Sequence, residues 1–260
     1  MRPKKGKGDF VLRVLLYLVA AVFVLPAIYV IFSSFRVEGG FGTGQYKRLF
    51  HDYPSYLVAL RNSFYYAAVI TAGGLLLSVP VAYLFAKVAF RGRNSMFFLY
   101  IIIMMLPAQS TILGQYLLMQ SIGWLDTRRA LYLPLMLSPL TVFLLRQNLK
   151  LVSAEIIDAT KLETNSFFVL LMRIVLPQIK GTMAAAGVLL FCESWNIIEP
   201  AMILLPKNEE IKPLSVMMGR YPEELQAACA AVYLAPVGVI MLVFAAGNMV
   251  KRRKVSQENL

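Results

Sequence analysis

Apolar residues along this chain gather into long blocks separated by short polar stretches. A hydrocarbon layer of about 30 Å takes about 20 residues of α-helix at about 1.5 Å each. Six blocks meet or approach that length, at 11–33, 62–86, 96–119, 130–145, 183–205 and 227–250. They predict an all-α, polytopic membrane protein with six transmembrane helices in a single domain over 1–260. The fourth block is the shortest and carries Pro134 and Pro139. Carbonyls freed by proline are tolerable at membrane depth only where neighbours satisfy them, so this span is expected inside a bundle. The first block opens on basic residues as a signal peptide does. Its apolar run is longer and lacks a small-residue cleavage site, so it is expected to be retained as a span.

Composition agrees. At 58% apolar and 15% charged, with a mean hydropathy of +0.65, the 260 residues depart from the soluble norm of about 45–50% apolar and about 25% charged. A 29.1 kDa globule could not bury such blocks within itself. The net charge of +12 would suit nucleic acid, but the basic residues sit in short clusters between the blocks, where lipid topology accounts for them. With the N-terminus inside, sixteen lysines and arginines fall on the cytoplasmic side and nine on the other, with Arg13 near the inner end of the first span. The charge thus predicts a lipid bilayer as partner, no nucleic acid, and both termini in the cytoplasm.

Enzyme chemistry finds little to stand on. Cys192 and Cys229 lie within apolar blocks and His51 is the one histidine, so neither a metal cluster nor a histidine triad is assembled. There is no GxxxxGK[ST] loop and no GxGxxG after a strand pattern. The chain is expected to be no enzyme and to bind no cofactor; if ATP drives it, another subunit holds the ATP.

The stretch 146–182 is the informative one. Ser153 can cap a short helix in which Ile156, Ile157, Ala159 and Leu162 interleave with Glu155, Asp158, Lys161 and Glu163. A more apolar second helix is predicted from about 166 to 176, stopping at Pro177, with a break at 163–165, where Thr and Asn favour a turn. By periodicity alone this could be an amphipathic helix lying on the membrane.

The run from Glu155 through Ile156, Ile157, Asp158, Ala159, Thr160, Lys161 and Leu162 to Glu163, continuing to Phe167, Arg173 and Leu176-Pro177, resembles the EAA loop of binding-protein-dependent ABC importer permeases. Set back from Pro177, Asp158 takes the place of that pattern's glutamate, Ala159 and Thr160 its alanines, and Glu163 its aspartate. Thr164 stands where glycine is usual. The resemblance covers nearly the whole chain and is nearest to the carbohydrate-type permeases, in particular the shorter member of the maltose-type pair. It is carried by Phe41 with Gln45-Tyr46, Leu60-Arg61-Asn62-Ser63, Ala82-Tyr83-Leu84-Phe85-Ala86, Phe90-Arg91-Gly92-Arg93, Leu106-Pro107-Ala108-Gln109, Ile122-Gly123-Trp124-Leu125-Asp126-Thr127, Val142-Phe143-Leu144-Leu145-Arg146-Gln147 and Glu193-Ser194-Trp195-Asn196, in that order.

That resemblance implies a bacterial cytoplasmic-membrane permease subunit. Its partners would be a second permease, two ATP-binding cassette subunits that hold ATP and Mg, and an extracytoplasmic solute-binding protein. It implies that the first loop helix sits in a cleft on an ATPase subunit. Exposed Ile156, Ile157, Leu162 and the Phe167-Phe168 pair would gain by burial there, with Asp158 and Glu163 pairing with basic residues on the rim.

Within the fifth block, Glu193 lies about 15 Å deep, and a charge facing lipid there costs about 2.5–3.5 kcal/mol. On a continuous helix Glu193, Asn196 and Glu199 fall within a sector of about 120°, with Trp195 beside them and Pro200 next. Two readings stay open: a lining of the solute path, or a polar clamp to the partner permease. Gln109, Thr111, Gln115 and Gln120 along the third block are equally path groups or helix-to-helix hydrogen bonds. Gly73-Gly74, and Gly181 with 184–187, offer small surfaces for close packing. The rivals are an importer permease for a non-carbohydrate solute, and an ion-coupled secondary transporter, which would need an internal repeat that the two halves do not display.

Overall fold

The computed structural model describes the backbone of residues 7–37, 40–163 and 166–258, and the side chains of 14–37, 40–107, 109–159 and 166–247. The expected turn at Thr164 and Asn165, and the side chains of Leu162 and Glu163, lie outside the described residues. The chain is almost wholly helical: α1 (Lys7–Ser34), a hairpin of β1 (Arg36–Val37) and β2 (Gly40–Phe41), α2 (Gly44–Asp52), α3 (Pro54–Lys87), α4 (Arg93–Met104), α5 (Ala108–Ser121), α6 (Arg128–Leu135), α7 (Pro139–Leu151), α8 (Ala154–Glu163), α9 (Phe167–Leu170), α10 (Leu176–Trp195), α11 (Glu199–Leu204), α12 (Leu214–Met217) and α13 (Glu223–Glu258).

By length and apolarity, five stretches can cross a membrane: Val14–Ser34, Pro54–Lys87, Arg128–Leu151, Phe167–Trp195 and Glu223–Gly247. α4 and α5, bent by 95° at the break between them, reach that length and apolarity only when taken together, as a broken span or a re-entrant loop. The chain is a multi-pass membrane protein. Three of the expected spans differ from these helices, each for a backbone reason. The block 96–119 is two helices rather than one, because Pro107 takes φ −59° and ψ 136° and pushes the residues before it out of the helix. The block 130–145 extends to 128–151: Pro134 is accommodated near the end of α6, and Ser138 restarts the helix by accepting the Thr141 N–H at 3.3 Å, with Pro139 in the first turn where it forfeits no bond.

The block 183–205 is displaced most. Its helix starts at Phe167 and ends at Trp195, so Pro177 does not stop it. Leu171–Val175 is a π-turn, in which the Leu176 N–H bonds the Leu171 carbonyl five residues back. The widened turn absorbs the proline inside a helix that runs on. Arg173 and Lys180 therefore sit on this helix and not in a loop, and the polar connection shrinks from 146–182 to 152–166.

Two compact units form. One holds 58–216, and the segments before and after it make the other. In the latter, α1 and α2 pack on α13. The end of α1 is closed by Gln45, whose Nε2 donates to the Ser33 carbonyl at 3.1 Å and the Arg36 carbonyl at 2.6 Å, and by Tyr46, whose hydroxyl meets Ser34 Oγ at 2.6 Å. Buried Tyr56 donates to the Cys229 carbonyl at 3.1 Å and packs edge-on against Tyr221.

In the 58–216 unit, two apolar cores lie along α3. One gathers Tyr66 and Ile70 with Leu131, Leu190 and Leu204; the other gathers Val79, Ala82 and Tyr83 with Leu145, Leu149, Val175 and Ile179. Between them Gly73 and Gly74 admit close neighbours. A Cβ on Gly74 would lie 2.5 Å from Leu190 Cδ2 and 3.3 Å from the Met136 carbonyl oxygen. The glycine pair is thus a packing surface.

Candidate functional site

The connection from α7 to α9 presents the first candidate. Val152 turns extended, Ser153 Oγ accepts the Glu155 N–H at 3.2 Å and opens α8, and Ser166 Oγ accepts the Val169 N–H at 3.4 Å and opens α9. The Ser153 cap is the expected one, and Ser166 plays the same part for α9. Glu155, Ile156, Asp158 and Ala159 are exposed, as are Phe167 and Phe168 and, on α10, Pro177. Ile157, expected beside Ile156 on the open face, is instead 2% exposed and belongs to the core around Tyr83 and Leu149. Neighbours on a helix point about 100° apart, so one isoleucine anchors α8 while the other faces outward. Phe167 is half-exposed and meets the Tyr83 ring edge-on at 5.5 Å. The result is a short helix fixed from beneath, exposing Ile156 and two carboxylates, followed by Phe167 and Phe168 exposed at the start of α9.

The second candidate differs from its expected form. Because α10 ends at Trp195, Glu193, Asn196 and Glu199 are not a stripe on one helix. Asn196 caps it, its amide reaching the Cys192 carbonyl at 3.3 Å, and α11 starts after a break, with Pro200 in its first turn. Trp195 is 1% exposed, packed between Phe191 and Phe64 at 5.8 and 4.8 Å. Its faces serve packing within the chain. Glu193, Asn196 and Glu199 are exposed on this chain. Gln109 Nε2, just past the break at Pro107, donates to Glu199 Oε2 at 3.3 Å. Two interrupted helices therefore meet at their interruptions through a polar pair, and irregular backbone at membrane depth belongs where it is enclosed by protein or lines a wet cavity.

One cluster had no counterpart in the sequence reading. Buried Asn62 donates to the carbonyls of Glu210 and Lys212 at 2.7 and 3.1 Å and accepts from Arg128 at 3.2 Å. Ser63 Oγ accepts the Leu214 N–H at 2.8 Å, and Tyr66 donates to the Ile211 carbonyl at 2.9 Å. Lys212, 6% exposed, pairs with Glu209 at 2.7 Å. Asp126, held at φ 62°, accepts the Lys207 and Asn208 amides at 2.8 and 3.0 Å. The polar residues at the start of the second block were the available signal. The groups they bind are backbone atoms some 150 residues away, which no local pattern discloses.

No family model matches the chain. Its fold is that of an ABC transporter chain: a bacterial ABC transporter involved in the import of the acidic polysaccharide alginate superposes with a TM-score of 0.81 over 95% of this chain and 98% of that one, at 22% identity. Its homologues carry permease names. It is 31% identical over 148 residues, 57% of the chain, to an arabinooligosaccharides transport system permease protein of Halalkalibacterium halodurans, and 36% identical over 139 residues, 53% of the chain, to an sn-glycerol-3-phosphate transport system permease protein of Brucella abortus. These matches span about half of each relative, 53% and 49%. The arabinooligosaccharides permease protein of Bacillus subtilis is matched at 28% identity over 76% of this chain and 73% of its own length.

Proposed function

We propose that the chain is a permease subunit of an ATP-driven, binding-protein-dependent importer for a sugar or oligosaccharide. It would sit in the bacterial cytoplasmic membrane with both termini inside, as the bias of basic residues favours. The observation that carries the reading is α8: a short helix pinned by Ile157 that exposes Ile156, Glu155 and Asp158, with Phe167 and Phe168 exposed on the α9 that follows. Such a surface suits a cleft on a separate ATPase subunit. Named permeases among the relatives support the class, and the arabinooligosaccharide names among them support the solute.

In this reading the chain pairs with a second permease, and two ATPase subunits hold ATP and Mg. A solute-binding protein delivers solute from outside. Closure of the ATPase pair displaces α8, and the spans switch between inward-open and outward-open states. Glu193, Asn196, Glu199 and Gln109 are the path groups, accepting and donating to hydroxyls. Trp195 holds the backbone break in place from inside. Glu193→Gln and Asn196→Ala should alter solute preference; loss of the permease pair with unchanged preference would make these residues a clamp.

The class itself is tested in vesicles by reconstituting the chain with a candidate second permease, ATPase subunit and solute-binding protein. Asp158→Lys or Leu162→Asp should abolish solute-stimulated ATP hydrolysis while the chain still inserts. Normal uptake and normal ATPase recovery in both variants would remove the coupling face, and ion-driven uptake by the chain alone would remove the importer reading.

A further inference from the structure

The ends of α3 and α7 are lashed to each other. Lys87, the last residue of α3, donates from Nζ to the carbonyl of Val152, the residue that follows α7. Arg146 of α7 donates from Nε to the Phe85 carbonyl at 3.1 Å, in the last turn of α3, and lays its guanidinium 3.5 Å from the centre of the Phe97 ring. Each helix thus supplies a cation to the orphan carbonyls of the other, where a helix C-terminus draws positive charge. Arg146 is 4% exposed, so this is a built joint and not a surface contact.

The joint lies immediately before α8, and Tyr83 grips the chain immediately after it through Phe167. One helix end therefore holds both flanks of α8. Some 25 residues earlier, about 37 Å away along the same helix, Asn62 and Ser63 hold the 210–214 loop.

We propose that α3 is the transmission rod of this chain: displacement of α8 is carried through Lys87 and Tyr83 into α3 and delivered by Asn62 and Ser63 to the 210–214 loop at its far end. Lys87, Arg146 and Asn62 are positioning residues and touch neither solute nor ATP. The inference rests on the importer reading for its biological use, but the mechanical link is a property of the chain alone.

Two measurements test it. Hydrogen exchange on the full chain in detergent reads the link directly. Lys87→Met should speed exchange severalfold at the Leu214 amide as well as around 152–157. Faster exchange confined to 152–157 would overturn the rod. In the reconstituted complex, Lys87→Met and Asn62→Leu should each keep the ATPase subunit and basal hydrolysis but reduce solute-stimulated hydrolysis about tenfold. The double variant should be no worse than either, as for two joints of one linkage, and Lys87→Arg should restore stimulation. Wild-type stimulation in both single variants, or additive losses, would overturn it. A wild-type complex lacking any solute-stimulated hydrolysis would fail the importer reading, leaving the exchange measurement to decide the rod.

Discussion

α1 and α3 are both long and apolar enough to cross a membrane, yet they use that apolarity in opposite ways. No residue in the most apolar window of α1 is buried, against a third of that of α3. Leu15, Tyr17, Leu18 and Phe23 stand open along α1, whereas α3 encloses Asn62, Ser63, Tyr66 and Ser78. The difference follows from what each must satisfy. In lipid an apolar surface costs nothing to leave open, but a polar side chain must find a partner inside the protein. Thus α1 is a span whose outer face is left to lipid or another chain, and α3 is a span wrapped because it carries polar contacts.

The sharpest way to break this contrast is steric. Gly74→Leu would drive a side chain into Leu190 and the Met136 carbonyl oxygen, and should leave no monodisperse chain after detergent extraction. Gly114→Leu on α5, where a Cβ meets nothing within 4 Å, should extract normally; equal behaviour of the two would refute the glycine packing of α3. Next in size is the pair on α8. Ile157→Ala empties a site in the core beside α3 and should cost about 2–5 kcal/mol in unfolding. Ile156→Ala should stay within about 0.5 kcal/mol and instead weaken recovery of the ATPase subunit. Smallest is Leu18→Ala on α1, also within about 0.5 kcal/mol; a loss of several kcal/mol would mean that α1 is enclosed as α3 is.

Legibility from sequence divides along the same line. Apolar blocks long enough to span, the Ser153 cap and the close-packing glycines are local in cause, and all can be read from neighbouring residues. Structure and local pattern part where backbone geometry depends on what surrounds it. Pro107 broke a block that hydropathy left continuous, while Pro177, an expected stop, was absorbed by a wider turn. Ile156 and Ile157 are chemically alike, and only the position of Tyr83 and Leu149 beneath α8 decides which of them is an anchor. Trp195, expected beside an open polar stripe, is enclosed because Phe64, 131 residues earlier, occupies one side of the ring.

The wide turn at Leu171–Val175 has a consequence for how this chain can vary. A π-turn holds one residue more than the α ladder around it, so the segment from Leu176 onward is rotated as though that residue were missing. Losing or gaining a single position here re-aims α9 by about 100° relative to the rest of the span. Insertions and deletions at this one turn are therefore a route by which a lineage could re-aim the face that α9 exposes without rebuilding the helix that crosses the membrane.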